Sequence, residues 1–570
     1  MGDEANANKK ILIIAIVLIL LITPLAIITA GAGGRSIWDH MGGSKNEEKA
    51  EADSKDIKKT EAVPVEDGVV RLASDQDLGN LDVAKNSDTY YLAINVFDRL
   101  VEIEETADGT PEIVPSLATE WSVSDDGKEY TFTLRDDVTF SNGKPLTAED
   151  VKFSLTRLLT VPDSEQVAYA DMIAGADELM NGKADELTGI EVMDDTHLKI
   201  RLNEPFPSFI SMLGSPACSI LSKDVVTAAG DSYGEEIDSI VGSGPYMLTQ
   251  NSEEMFTMEL NPLYWGETPS VKKAEMRVMV HAVMNREFGL GHLDMLDLDY
   301  MSGEARKYYL EYDEFKSRLI VMKNVGIISL MLNTAMPPLD DLRVRKAVQY
   351  AIDRERIIEE VCGGYADTTD GIFPEGLIGY APENQGWMKY DPEEAKRLLK
   401  EAGIGSDYTI ELAYGATADL SIQKLTEIVQ ENLNAVGLNA VTVVYDSDSR
   451  LYLRRNGKIM AYVFDWLADY NDPDNFIYTI FGSADTTQKF SSNYKDLTTI
   501  ARIGNARTIV DDEKRLKEYA SLEKKLVETD AVWVPLYSAD HVLVKGSRVK
   551  GYTPYWAGWS DAILKNIELE

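Results

Sequence analysis

The sequence predicts an α/β protein with more than one lobe, and three observations support this class. The chain has 570 residues, more than one hydrophobic core normally organises. A strand pattern at residues 130–134 leads into a capped helix. Strand and helix patterns then alternate between residues 391 and 445, as they do in βαβ units.

The first element pair lies near residue 130. Residues 130–134, YTFTL, alternate in polarity as a half-buried strand does. Thr147 is followed three residues later by Asp150, which is the spacing of a helix capping box. The apolar face of the helix that follows is predicted to consist of Val151, Leu155, Leu158 and Leu159.

The second half of the chain repeats this alternation. A helix is predicted from Asp391, with Pro392 in its first turn and Gly403 at its end. A strand at 408–414, a helix at 422–433 and a strand at 441–445 follow, which predicts a parallel or mixed sheet.

Two further helices are predicted from their caps and apolar faces. Asp340 is expected to cap the first, and Asp511 is expected to begin the second. The residues expected to face inward are Val344, Ala347, Val348 and Ile352 in the first helix, and Leu516, Tyr519, Leu522 and Leu526 in the second.

The net charge restricts the partners of the protein. The formal charge at pH 7 is −40. Nucleic-acid binding needs clustered Lys and Arg, so we exclude it, and an anionic membrane surface would repel this chain. Solubility explains the charge more simply than attraction of cationic ligands does.

The N-terminus predicts export. Residues 11–30 form an uncharged apolar run that would span roughly 30 Å as a helix. Lys9 and Lys10 precede it and would stay in the cytoplasm, which sends the rest of the chain outside. We favour a retained anchor, and cleavage near residues 30–32 is the alternative. Residues 31–66 have the composition of a flexible tether.

The sequence shows no cofactor or metal motif. No GxSxG, HExxH, GxxxxGK[ST] or GxGxxG pattern occurs. His281 and His292 are expected to be surface histidines or histidines with satisfied hydrogen bonds, and not metal ligands. Cys218 and Cys362 are expected to be buried, inert thiols. We predict a protein that is not an enzyme and that holds no cofactor and no metal, and the missing motifs agree with this prediction.

Several strings in one order carry a family resemblance. LATEW, SDDGK, YTFTLR, FSNG and PLTAEDV follow one another between residues 117 and 151. VGSGPY at 241–246, NT to AIDR at 333–354, YDP to EAG at 390–403, and WLADYNDPDNF at 466–476 continue the series. This succession resembles the family 5 solute-binding proteins, the peptide- and nickel-binding receptors of ABC importers.

The resemblance implies a two-lobed periplasmic-binding-protein-like fold of type II, large peptide-binding class, with an extra subdomain inserted in the first lobe. Two strands, near 325–333 and 533–537, would cross between the lobes. The implied divisions are a cytoplasmic N-terminus at 1–10, an anchor or signal segment at 11–30, a flexible acidic linker at 31–66, the first lobe at 67–111, 242–322 and 531–570, the insert at 112–241, and the second lobe at 323–530.

The resemblance also implies a ligand site. In peptide-binding members, an aspartate that matches Asp469 pairs with the α-ammonium of the ligand. Residues that match Asp465, Trp466 and Leu467 lend backbone groups to an extended peptide, which is strand addition. A turn or helix-cap role is the simpler interpretation of Asp472 and Asp474.

One departure from the family pattern bears on the ligand. Some members carry an arginine six residues before the aspartate to receive the carboxylate of short peptides, and here that position is Val463. Asp465 stands where a glycine is common, and its charge disfavours a carboxylate nearby. We therefore expect an oligopeptide rather than a dipeptide, or a ligand with a basic group near its amino end.

The function implied is that of the extracytoplasmic substrate-binding protein of an ABC importer, with permease subunits and an ATPase as partners. The same fold with another cargo is an alternative, namely a nickel complex, haem or an oligosaccharide. A membrane-tethered solute sensor is a second alternative. A secreted hydrolase is a third, and the missing nucleophile context disfavours it.

Overall fold

The computed structural model describes residues 66–86, 89–106, 111–299, 301, 303–416, 418, 420–558 and 560–570. The predicted membrane segment and the tether up to residue 65 lie outside these residues, so both remain predictions. Among the described residues, no helix combines the length and the apolar character needed to cross a membrane.

The strands are numbered here in chain order. They are β1 Val69–Ser74, β2 Val101–Glu105, β3 Pro111–Pro115, β4 Ala118–Val123, β5 Glu129–Leu134, β6 Ile190–Asp194, β7 His197–Arg201, β8 Tyr246–Asn251, β9 Met255–Leu260, β10 Lys273–Val278, β11 Met295–Asp297, β12 Leu319–Lys323, β13 Gly326–Leu332, β14 Ala366–Thr368, β15 Thr409–Gly415, β16 Asn439–Tyr445, β17 Ala461–Leu467, β18 Trp533–Lys545, β19 Val549–Tyr552 and β20 Ile567–Leu569.

The α-helices lie between these strands and cover their faces. They are Tyr91–Val96, Ala148–Thr160, Ala176–Met180, Phe209–Met212, Lys223–Ala229, His281–Gly289, Gly303–Glu311, Asp313–Lys316, Leu342–Ala351, Arg354–Cys362, Pro392–Ala402, Leu420–Ala435, Ser447–Arg455, Pro473–Phe481, Ala484–Lys489, Leu497–Ala506 and Asp512–Lys524.

The strands of the described residues form three larger sheets and two hairpins. One sheet has the order β1-β10-β9-β8, and another has the order β4-β5-β7-β6. The largest has the order β11-β18-β13-β17-β15-β16, with β12 and β14 also paired to β18. The hairpins are β2-β3 and β19-β20. Mixed sheets with helices between their strands confirm the predicted α/β class.

The predicted βαβ unit is confirmed. β15 and β16 pair in parallel from Thr409 with Asn439 to Gly415 with Tyr445, and the helix Leu420–Ala435 connects them. The helix buries Leu425, Ile428, Val429 and Leu433 against the sheet. The period of apolar residues was enough to predict this unit.

Most predicted helix ends are confirmed. The Thr147 N–H donates to Asp150 Oδ2 at 2.9 Å, as a capping box requires. Asp391 caps the helix Pro392–Ala402, and Gly403 ends it in the left-handed region at φ 72°. Asp511 caps the helix Asp512–Lys524.

The cap predicted at Asp340 is wrong by one residue. The carboxylate of Asp341 accepts from the Arg343 N–H at 2.8 Å, so the helix begins at Leu342. The Asp341 N–H donates to Pro338 O at 3.2 Å, so the preceding turn extends through Asp340. Two adjacent aspartates fit a cap equally well, and this turn decides between them.

The predicted crossing strands correspond to β13 and the start of β18, which pair antiparallel with each other. β17 lies on the other side of β13 and pairs with it along its full length, from Gly326 with Leu467 to Leu332 with Ala461. The boundaries of the lobes and of the insert remain predictions. The three adjacent strands place the end of β17 at the centre of the largest sheet.

Candidate functional site

The candidate site is built on the turn between β17 and the helix Pro473–Phe481. Pro473 stands in the first turn of that helix, where its missing N–H costs nothing. The carboxylate of Asp472 caps the helix by accepting from the Asp474 N–H at 2.9 Å. The turn therefore holds Asp469 at a fixed place beyond the end of the strand.

One edge of β17 is covered over only part of its length. β15 pairs with β17 at two positions, Leu412 with Ala461 and Ala413 with Tyr462. In the described part of the chain, no strand pairing continues along that edge from Val463 to Leu467.

A cavity of about 200 Å³ lies against the same residues. Asp465, Trp466 and Leu467 line one wall, and residues 326–328 of β13 lie beside them. Asp465 is exposed, whereas Trp466 and Leu467 are half-buried. Asp469 is not among the residues that line this cavity, although only Ala468 separates it from Leu467.

Another part of the same cavity wall is charged. Asp299, Arg306 and Asp540 line it together with Asp465. Arg306 is buried, and its Nη1 donates to Leu298 O at 3.1 Å and lies 3.5 Å from Asp299 Oδ1. The cavity wall therefore carries three carboxylates and one guanidinium, which is an acidic balance.

Asp469 is a carboxylate without a cationic partner among the described residues. Its Oδ2 accepts from Asn475 Nδ2 at 2.9 Å, and none of the ion pairs in the described part of the chain includes it. Burial raises the pKa of Asp469 to about 6, and the hydrogen bond from Asn475 opposes that rise. A cation placed beside this carboxylate would stabilise its ionised form.

Three tyrosines lie close enough to Asp469 for its charge to affect their pKa values. Burial raises the pKa of Tyr90, Tyr169 and Tyr555, and the negative charge of Asp469 raises each of them further. The three tyrosines come from distant parts of the chain, and the fold brings them near one half-buried carboxylate.

The other aspartates of the turn already have partners. Arg515 Nη1 donates to both carboxylate oxygens of Asp472, at 2.8 and 2.7 Å. Tyr470 and Tyr519 donate to Asp474 at 3.0 and 2.9 Å. Both aspartates are buried, and their contacts are structural. This matches the simpler interpretation given to them from sequence.

Sequence reasoning missed Asn475. Its Oδ1 accepts from Trp466 Nε1 at 2.9 Å and from the Asp469 N–H at 3.1 Å. The residue lies six positions after Asp469, in the first turn of a helix, where a neutral amide carries no signal of its own. Only the fold shows that it contacts two of the predicted site residues.

The histidines and cysteines behave as expected, with one addition. His281 lies 3.8 Å from Asp75, and His292 lies 3.0 Å from Glu287. Cys218 and Cys362 are buried free thiols, and burial raises the pKa of Cys218 to about 12 and of Cys362 to about 11.

The addition is a cluster of two half-buried carboxylates, Asp297 and Asp299, with the buried His541. His541 Nδ1 lies 2.6 Å from Asp299 Oδ2. Burial lowers the pKa of His541, but the two carboxylates outweigh it and raise that pKa to about 9. The imidazole of His541 and the two carboxylates therefore form one ion cluster.

Comparisons with known proteins fit this geometry. The model of the bacterial extracellular solute-binding proteins, family 5 Middle, matches residues 112–488. The dipeptide-binding protein of Escherichia coli is 29% identical over 81% of this chain and 86% of its own length. The heme-binding protein A of Haemophilus influenzae is 28% identical over 80% of this chain and 84% of its own length.

A solved structure shows the same fold. The ABC transporter-associated periplasmic binding protein DppA of Helicobacter pylori, in complex with the peptide STSA, superposes with a TM-score of 0.72 at 26% identity. The match covers 88% of this chain and 98% of that one. It confirms the two-lobed fold class expected from the motif strings, and the relatives are binding proteins and not enzymes. This chain belongs to the bacterial extracellular solute-binding proteins of family 5.

Proposed function

We propose that this protein is the extracytoplasmic substrate-binding component of an ABC importer and that it captures peptides, oligopeptides rather than dipeptides, for delivery to a permease. The observation that carries the proposal is Asp469, a desolvated carboxylate without a cationic partner among the described residues. It lies just beyond a strand edge that β15 leaves uncovered. Peptides offer both an α-ammonium and an extended backbone.

The ammonium group suits Asp469 for an electrostatic reason. A cation taken into a closed cleft loses its hydration, and a fixed carboxylate compensates for that loss. Asp469 is itself poorly solvated, so the ion pair replaces solvation that the carboxylate already lacks. The contact selects the amino end of a ligand whatever its sequence.

The backbone of the ligand would align with β17. Main-chain hydrogen bonds from Asp465, Trp466 and Leu467 would bind any extended peptide, because every residue offers the same N–H and C=O groups. The cavity beside these residues would receive a side chain of the ligand. This arrangement supports broad recognition of peptides.

Capture would proceed by hinge closure. In this structure the Asn471 Nδ2 donates to Pro111 O at 3.2 Å, and the Arg507 guanidinium lies 4.5 Å from the ring centre of Phe206. These contacts join the predicted second lobe to the predicted first lobe and its insert. They support a closed form that encloses Asp469, with ligand binding favouring that form.

Membrane tethering through residues 11–30 is part of the proposal. An anchor would keep the receptor near its permease, and a cleaved signal would release it. Mass measurement of the mature protein distinguishes the two outcomes.

Native mass spectrometry of the protein purified without added ligand tests the function. We expect a heterogeneous set of co-purified peptides of three or more residues. A single metal complex, a haem or an oligosaccharide in the cleft would overturn the peptide assignment and leave the fold assignment unchanged.

Binding should depend on pH. Asp469 must be ionised to pair with an ammonium, and its raised pKa of about 6 places the change in the mildly acidic range. Peptide binding therefore lowers the pKa of Asp469 and releases protons. At pH 6 the release should be about half a proton per bound peptide, because half of the carboxyl groups are protonated before binding. Calorimetry in two buffers of different ionisation enthalpy measures this release. A release equal in wild type and in Asp469→Asn would contradict the assignment.

Asp465 should select against acidic ligands. Removing its charge with Asp465→Asn should improve affinity for an acidic tripeptide and weaken it for a basic one, each by about two- to fivefold, since the residue is exposed and screened. Titration of Ala-Glu-Ala and Ala-Lys-Ala against both proteins measures the difference. Tight binding of acidic and neutral dipeptides by the wild type would refute the ligand preference altogether.

A further inference from the structure

We infer that Asn475 is a positioning residue, which holds one carboxylate oxygen of Asp469 and directs the other toward the ligand. The inference rests on the proposed function, because it concerns how the same site recognises an ammonium group. It is carried by three hydrogen bonds that converge on one buried amide.

The orientation of the amide is fixed by chemistry. Asn475 Oδ1 faces the indole N–H of Trp466 at 2.9 Å and the backbone N–H of Asp469 at 3.1 Å. Both groups can only donate, so the atom between them must be the amide oxygen. Nδ2 must then face the carboxylate of Asp469, which it does at 2.9 Å.

The amide has little freedom to turn away. Asn475 is 2% exposed and lies in the first turn of the helix Pro473–Phe481, whose start is fixed by the Asp472 cap. Rotation about its side-chain bonds would bury two donors without acceptors, which is costly. The amide therefore links the end of β17 to the carboxylate of Asp469 in one fixed orientation.

Two consequences for recognition follow. The amide occupies Asp469 Oδ2, so the ligand ammonium is directed to Oδ1. Donation to a carboxylate stabilises its ionised form, so Asn475 holds the pKa of Asp469 below the value that burial alone would give. Without this amide, the carboxylate would be neutral over more of the physiological range, and its neutral form would not attract a cation.

The Asn475 amide also connects the part of the site that would bind the ligand backbone with the part that would bind the ligand ammonium. Trp466 belongs to the strand that would bind the ligand backbone, and Asp469 would bind the ligand terminus. Because one amide oxygen accepts from both residues, the distance between backbone subsite and ammonium subsite is fixed. This favours ligands whose ammonium is followed directly by a peptide bond.

The test measures the pH at which affinity for a neutral tetrapeptide falls to half of its plateau value. Wild type should show a midpoint near 6. Asn475→Leu should raise the midpoint by about one unit, since a hydrogen bond to a charged group is lost. Affinity at pH 6 should fall roughly fivefold, and at pH 8 it should stay within about twofold of wild type.

Two further variants keep the result interpretable. Asn285→Leu removes another buried amide, one that accepts from the Tyr309 hydroxyl at 2.7 Å in a different part of the fold, and should leave the midpoint unchanged. Asn475→Ser is smaller and folds more readily if the leucine variant does not. Its single hydroxyl cannot replace all three bonds, so its midpoint should also rise.

The outcomes separate this inference from the proposed function. No binding of tetrapeptide by the wild type would overturn both. Wild-type binding with a midpoint near 6 that neither Asn475 variant moves would overturn the role of Asn475 alone. A loss of affinity equal at pH 6 and pH 8 would assign Asn475 a structural role and overturn its influence on the ionisation of Asp469.

Discussion

Replacement of Asp469 by Asn is expected to weaken peptide binding by about 2–4 kcal/mol, or roughly 30- to 1,000-fold. The variant keeps the shape of the side chain but leaves the ligand ammonium buried without a counter-charge. Isothermal titration with one neutral tetrapeptide at pH 7.5 measures the loss. Acetylation of the same peptide at its amino end should cause a similar loss in wild type and little further loss in the variant.

The same substitution should stabilise the ligand-free protein. The folded-state pKa of Asp469 is raised to about 6, so ionisation above that pH costs folding free energy that is absent below the unfolded pKa near 4. An asparagine avoids this cost at neutral pH. We therefore expect a higher melting temperature in the variant at pH 7.5 and little difference at pH 4.

Asp126→Asn is a matched control, because Asp126 is an exposed residue of a surface turn. It should change neither affinity nor its pH dependence. Unchanged affinity in Asp469→Asn would return Asp469 to a purely structural role, and the peptide assignment would lose its main support.

Replacement of Arg515 by Met is expected to lower the free energy of unfolding by about 3–5 kcal/mol. Arg515 and Asp472 are each 2% exposed and are joined by two hydrogen bonds of 2.8 and 2.7 Å. Removing the guanidinium leaves a buried carboxylate without a cation, which costs more than the pair contributes. Equilibrium unfolding in urea measures the change.

A double variant tests the mechanism. Asp472→Asn keeps a side-chain oxygen that can cap the helix and removes the charge, so Asp472→Asn with Arg515→Met should recover part of the lost stability. Arg502→Met is the comparison, because Arg502 pairs with Glu518 at 2.9 Å on the surface and should cost less than about 1 kcal/mol. Equal effects of the two arginine substitutions would contradict the argument.

Local pattern was sufficient for much of the fold. The helix Pro392–Ala402 was predictable because Asp391, Pro392 and Gly403 each act within a few residues of their own position. The pairing of β15 with β16 followed from apolar periods joined by a helix. The cap at Asp341 was missed by one residue because the turn that decides it depends on a contact back to Pro338.

Buried charge was not predictable. Arg515 and Glu523 lie in a helix whose apolar residues indicated an ordinary amphipathic face, yet both are almost fully buried. Glu523 accepts from the N–H groups of Ile372 and Phe373, about 150 residues away in the chain. A sequence pattern cannot show that a distant loop supplies the hydrogen-bond donors that compensate for burying this carboxylate.

The site was predictable only in part. The motif string around residue 466 indicated Asp469, and the structure adds why that carboxylate differs from Asp472 and Asp474, which already have donors of their own. Asn475 could not be identified, because its importance comes from converging on Trp466 and Asp469 in space. The assignment of these residues to ligand remains a proposal.

β18 pairs with four strands along its length, β13 and β14 in its first half and β12 and β11 in its second. Residues up to Tyr537 pair with β13, and residues from Asp540 onward pair with β12. A strand that is hydrogen-bonded along both halves cannot stretch. The parts of the protein at its two ends can therefore rotate about the strand but cannot move apart. The receptor would then fit cargoes of different bulk by changing its angle of closure, while chains too long for the cleft would have to exit through its mouth.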